Sequence, residues 1–181
     1  MDQLAAHQRA QDALSRALGA VAPSHLDAPT PCEQWTVRQL VDHVIAGNYR
    51  MAGTTPPAAP DGDVADLVSA LSASADAAQR AFAAPDGLTR MIDMPFGPVP
   101  GEVVIGMRTT DALVHAWDVA RAAGQPTDIE PDLAEATLQA VGSRVTDEAR
   151  GPGRPFGPER PCAADRPAAD RLAAFLGRSV D

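Results

Sequence analysis

The chain has 181 residues, enough for one domain (residues 1–181) with a sizeable core and no need of covalent staples. A formal net charge of −9 argues against a nucleic-acid backbone or an anionic membrane as partner, and no apolar run is long enough to span a bilayer. With 45% hydrophobic residues, abundant alanine and only 4% aromatics, the composition excludes a disordered chain and favours helices packed closely through small side chains. The opening MDQLAAHQRAQD lacks the basic-then-apolar pattern of an export signal, so Cys32 and Cys162 are expected to be free thiols and the protein cytoplasmic.

The first predicted helix covers residues 2–19, with Asp2 as cap, Leu4, Gln11, Leu14 and Leu18 on one side and Gly19 as stop. His7 lies on the edge of that side and is expected at the surface or near the cap. Residues 22–34 are too Pro-rich for continuous helix, and His25 there is expected to be solvated. The second helix has the clearest start. Thr36 and Gln39 fit a capping box, and Trp35 with Leu40 fits a hydrophobic staple. Val37, Leu40, Val44, Gly47 and Met51 form its stripe, His43 stands at the stripe's border, and Arg38 and Asp42 are expected as a solvated pair opposite. Gly47 is expected to admit another backbone at close range.

Residues 53–62 read as a linker, and a third helix runs from about Asp63 to Ala84 with a seam from Val64 to Phe82. Within residues 86–100, LTRMIDM alternates and FGP can turn a short hairpin, despite Pro95, Pro98 and Pro100. The longest helix is expected from Gly101 or Glu102 to Gly124, and Pro131 opens a fifth whose inside reaches Val145. Residues 151–169 read as a surface-wrapping tail, and ADRLAAFLGR as a closing helix anchored by Leu172, Phe175 and Leu176. These elements imply an all-α protein, an antiparallel four-helix bundle with a short hairpin before its longest helix.

The longest helix carries the chemistry. From Asp111 to Ala120 its ionisable residues are Asp111, His115 and Asp118, which fall within roughly 60° of arc at helical spacing. Leu113, Ala116, Trp117 and Ala120 cover the other side, so the helix is apolar nearly all round and reads as buried. The stripe is then either the one solvent-facing edge or a buried site where carboxylate and imidazole at i and i+4 clasp a metal. Cys32 is expected to pack, as are Trp35 and Trp117. Arg171 and Arg178 are expected at the surface.

TPCEQWTVRQLVDHVIAG resembles the TPC-x-x-W-T-V-x-x-L-x-x-H segment of the DinB-like, mycothiol-dependent maleylpyruvate isomerase superfamily. DALVHAWDVARAAGQP resembles its second signature, and RLAAFLGRSV the tail of its stand-alone members. The resemblance implies a four-helix bundle holding a divalent metal through His43, Asp111 and His115. Asp118, one turn beyond His115, is by its position a candidate group behind that imidazole, with a helix-surface acid or a bond to a neighbouring helix as the alternative. Zinc suits this set best, and nickel, iron or manganese also accept imidazole and carboxylate. The isomerase carries Glu where Asp111 stands, and it has a further C-terminal domain. By analogy the protein is expected to be a metal-dependent transferase or isomerase that joins mycothiol, or a related small thiol, to small electrophiles, as a monomer or homodimer. The alternatives are a non-catalytic metal-binding helical sensor or interaction module, and a bundle whose metal site has decayed.

Overall fold

The computed structural model describes residues 2–33, 35–58, 60–151 and 156–181. Single positions of the Pro-rich loop and of the linker, and residues 152–155 of the expected tail, lie outside the described residues. The element order is α1 (Gln3–Gly19), α2 (Val37–Met51), α3 (Val64–Ala83), β1 (Met91–Met94), β2 (Gly97–Pro100), α4 (Gly101–Ala122), α5 (Pro131–Gly142) and α6 (Ala168–Phe175). Short 3-10 turns occupy Pro23–His25 and Asp147–Ala149.

Local chemistry explains the boundaries. Asp2 caps α1 by accepting from the Leu4 amide. The Thr36–Gln39 capping box starts α2, and a second box, between Asp63 and Asp66, starts α3. β1 and β2 pair antiparallel with Met91 opposite Pro100 and Met94 opposite Gly97, so the expected hairpin forms and turns at residues 95–96. α5 stops at Gly142, so Val145 lies beyond it rather than inside it.

α1 to α4 make the expected four-helix bundle, two helices running each way, but two of its neighbouring pairs are parallel rather than antiparallel. Gln3 donates to the Glu102 carbonyl at 3.1 Å, and Gln125 to the Ala17 carbonyl at 3.0 Å, so α1 and α4 run side by side in the same direction. Arg38 reaches Gly62 at 2.9 Å and Asn48 reaches Ser74 at 3.1 Å, which makes α2 and α3 a second parallel pair. Antiparallel packing joins α1 to α3 and α2 to α4. Two successive parallel helices need a crossover that climbs back along the first. The linker 52–63 can span about 40 Å when extended, well beyond the roughly 22 Å of the 15-residue α2.

The interior of the bundle is aliphatic. Leu14, Leu18, Leu40, Val44, Leu67 and Leu71 are fully buried with Ala116 and Val119 of α4. Each such leucine stabilises the fold by about 1.5–3 kcal/mol. On the outer side of α4, Leu113 and Trp117 pack against α5 and α6 through Leu133, Leu172 and Leu176. Trp117 is core, as expected, and its indole donates to buried Asp170 at 2.8 Å. A third cluster of Met51, Phe82, Val104 and Ile105 closes the hairpin end. Arg150, just ahead of the tail, sits over the Phe175 ring of α6, and within the tail's described part Arg160 donates to the Ala174 carbonyl. Gly177, at φ +97, meets Gly157 so closely that a Cβ would stand 2.7 Å from its Cα.

Several expectations are corrected. His7 is buried, not superficial, because α3 covers it; its ring meets Gln79 and Gln11 and the edge of Phe82. Burial pushes its imidazole toward the neutral form. Arg38 does not sit in solvent with Asp42 but donates to the Pro60 and Gly62 carbonyls, tying the crossover to α2. Gly47 admits the guanidinium of Arg108, not a backbone. Arg178 is not at the surface, for its side chain turns inward to Asp118. Arg171 pairs with Glu135 on α5. Cys32 and Cys162 are free thiols, as expected, and no helix among the described residues is long and apolar enough to cross a membrane.

Candidate metal centre

His43 projects from the second turn of α2, and Asp111 and His115 from successive turns of α4. The antiparallel packing of these two helices brings the three together, with one donor atom from each lying within 4.8 Å of the others. Asp111 Oδ1 stands 3.4 Å from His115 Nε2 and 3.7 Å from His43 Nε2. Donors about 2.0–2.2 Å from a tetrahedral ion stand about 3.3–3.6 Å apart. The Asp111–His115 spacing of 3.4 Å falls within that range, and the Asp111–His43 spacing of 3.7 Å lies just beyond it. Side-chain exposure grades across the cluster: 4% for His115, 26% for Asp111 and 38% for His43. One side is wall and the other is open.

Each donor is held from behind. Asp118, with a fully buried side chain, lies 2.9 Å from His115 Nδ1, so a neutral His115 donates there and keeps the Nε2 lone pair toward Asp111 and His43. Arg178, from the segment after α6, donates to both Asp118 oxygens at 3.2 and 3.4 Å. Arg108 Nη1 donates to Asp111 Oδ2 at 2.8 Å, leaving Oδ1 for the imidazole side. Trp35, just ahead of the α2 cap, stacks on His43 with ring centroids 4.4 Å apart and 29° between planes. Trp35 and His115 also stand edge to face, with ring centroids 5.9 Å apart. Trp35 thus packs with the leucine core of its expected staple and also fixes a candidate ligand.

Two opposed electrostatic effects act on the metal-free cluster. Burial disfavours charge on Asp111, but Arg108 and the imidazoles outweigh it and hold the carboxyl well below the usual range. Burial also disfavours the His115 imidazolium, yet Asp111 and Asp118 on either side raise it to about 9. Between these two carboxylates the metal-free His115 imidazole is held in its protonated form at neutral pH. Cys32 stands close enough to feel Arg178, Asp118 and Asp111, but burial dominates and pushes its thiol up.

All four residues singled out on the two helices thus meet: His43, Asp111 and His115 around one point, Asp118 behind. His7 lies elsewhere in the bundle, and His25 is exposed. Arg108, Arg178 and the stacking role of Trp35 were not foreseen. A signal existed for Arg108, which stands three residues before Asp111 and thus on its stripe, while Gly47 stands four after His43.

Comparison with known proteins agrees with this architecture. The sequence profile of the mycothiol maleylpyruvate isomerase N-terminal domain matches residues 7–95. Uncharacterized proteins from two strains of Mycobacterium tuberculosis are 50% identical over 185 residues, covering 99% of this chain and 100% of theirs. Among solved structures, the mycothiol-dependent maleylpyruvate isomerase superposes with a TM-score of 0.61 at 18% identity, over 77% of this chain and 67% of that one. A histidine-to-alanine mutant of that isomerase superposes with a TM-score of 0.64, also at 18% identity, over 83% and 72%. Those two likenesses speak to the fold, while the profile and the two close relatives speak to descent. The chain therefore belongs to one family with these two mycobacterial proteins, carries the profile of the mycothiol maleylpyruvate isomerase N-terminal domain over residues 7–95, and shares that isomerase's fold.

Proposed function

We propose that residues 1–181 form a single metal-binding domain that acts in the cytoplasm as a thiol transferase or isomerase on small electrophiles, with mycothiol or a related small thiol as co-substrate. The observation that carries this reading is the convergence of His43, Asp111 and His115 on one point with one side open. Zinc is the first candidate for the ion, with nickel, iron and manganese behind it. A divalent ion there supplies a Lewis acid that favours thiolate over thiol near neutral pH.

The chain's own residues supply the rest. His115, walled in and hydrogen-bonded to Asp118, is the fixed reference of the site. His43, stacked under Trp35, closes one flank. Val103 and Met107 are exposed and precede Asp111 at successive i+4 steps, so they give a small electrophile's carbon skeleton an apolar approach along α4. A non-catalytic metal sensor is better served by a closed site, and among the described residues this cluster offers three protein donors.

The test is elemental analysis of unsupplemented protein, followed by thiol consumption measured with the metal-loaded form across a panel of small thiols and electrophiles. The expected result is about one metal per chain and turnover that chelation abolishes. Protein without stoichiometric metal, or loaded protein inert toward every pair, would overturn the proposal.

A further inference from the structure

Arg108 is an expensive side chain in an unusual place. It is 8% exposed, and its Nε is buried without a hydrogen-bond partner. Its guanidinium passes between α4 and α2 into a notch that exists only because residue 47 is glycine. A Cβ there would stand 2.7 Å from Arg108 Cζ and Nη2, and 2.8 Å from Nη1. Nη2 reaches the Val44 carbonyl at 3.3 Å and Asn48 Oδ1 at 3.4 Å. Asn48 continues through Gln11 to His7 and through Ser74 to α3, so the guanidinium is anchored to every helix of the bundle. Nη1 then delivers the charge to Asp111 Oδ2 at 2.8 Å.

A buried charge of this kind is not the cheapest way to fill the space, since well-packed apolar residues often match or exceed buried ion pairs in stability. Its consequence lies in what it does to Asp111. One carboxylate oxygen is taken, and the other faces both imidazoles at 3.4 and 3.7 Å. An unrestrained aspartate can swing to present both oxygens to a cation. Here the second oxygen is engaged by a donor whose own position is locked by the notch and by Asn48.

We propose that Arg108 is a positioning residue that restricts Asp111 to one-oxygen coordination, with Gly47 as the notch that makes room for it, so that a coordination position stays free for an incoming small ligand. This rests on the metal reading of the His43–Asp111–His115 cluster. Shorter Asp at position 111 is then matched to its arginine: the guanidinium sets where the carboxylate stands.

Cobalt(II) loaded into the full chain tests it, with affinity measured by competition and coordination by the intensity of the visible d–d bands, which falls as coordination number rises. The variants are Arg108→Met, Arg108→Lys and Gly47→Ala, each checked for helical content. Gly47→Ala keeps both Arg108 and Asp111, favours helix, and displaces only the far end of a flexible side chain. Arg108→Met is expected to weaken cobalt binding roughly 10- to 100-fold, the usual effect of removing a group that orients a ligand. Its bands should weaken as Asp111 turns to give both oxygens. Gly47→Ala should shift affinity and spectrum the same way, and Arg108→Lys should recover part of both. If Arg108→Met does not fold, Gly47→Ala alone decides. Folded variants with the parent's affinity and spectrum would overturn this proposal and leave the metal site standing. Parent protein that takes up no cobalt would overturn both.

Discussion

Replacing Asp118 with Asn separates the support of the proposed metal centre from the stability of the fold. The Asp118 side chain is fully buried, 2.9 Å from His115 Nδ1 and 3.2 Å from the Arg178 guanidinium. Asparagine keeps the shape and removes the charge. Arg178, whose side chain is 11% exposed, is then left without its acid. Breaking a buried pair from one side costs about 3–5 kcal/mol. For a chain of this size each kcal/mol moves the melting temperature by about 2–4 °C, so metal-free protein should melt roughly 6–20 °C lower. The amide can also turn its NH2 toward His115 and upset the tautomer that leaves Nε2 free. Loss of such a partner weakens metal binding roughly 10- to 100-fold, or about 1.4–2.7 kcal/mol. The two effects come apart in Asp118→Asn/Arg178→Met. Removing the orphaned charge should restore much of the melting temperature, yet metal affinity should stay low. Circular-dichroism melts of chelated protein and competitive metal titration read the two quantities. A double variant that recovers both would show that Asp118 serves Arg178 alone. A single variant melting within about 2 °C of the parent, with unchanged metal affinity, would refute the reasoning altogether.

Asp111→Ala should lose most bound metal while keeping its helical content, and stoichiometric metal in that variant would remove Asp111 from the ligand set. In chelated protein His115 is raised from 6.5 to about 9 because Asp111 and Asp118 outweigh its burial. A raised imidazole contributes stability that is fully present below the unfolded value and is lost as pH climbs through the folded one, here about 3 kcal/mol. Metal-free protein should therefore melt lower at pH 9.5 than at pH 6, and metal binding at pH 7.5 should release about one proton, read by calorimetry in buffers of different ionisation enthalpy. A flat melting profile and no proton release would contradict a protonated His115 in the metal-free protein. Trp117→Phe removes the donor to buried Asp170 and should destabilise by about 1–3 kcal/mol. Metal affinity should not move, because that ring faces α5 and α6; a change in affinity would mean the two sides of α4 are coupled.

Much of this protein is written at short range. The Thr36–Gln39 box, the seam of α3, the Gly124 stop and the i, i+4, i+7 spacing of Asp111, His115 and Asp118 are all properties of a few neighbouring residues. Periodicity could therefore place the helices, and it could say that one of them was buried nearly all round. It could not say which way neighbouring helices run, because α1–α4 and α2–α3 run parallel only by virtue of where the crossover 52–63 lands. Nor could it show that Arg178, far from Asp118 in sequence, folds back onto it, or that a glycine on α2 is the berth of an arginine on α4. Those pairings depend on the rotation and register of one helix against another. Rotation and register are set by how the whole leucine core packs, and no stretch of chain contains that information by itself.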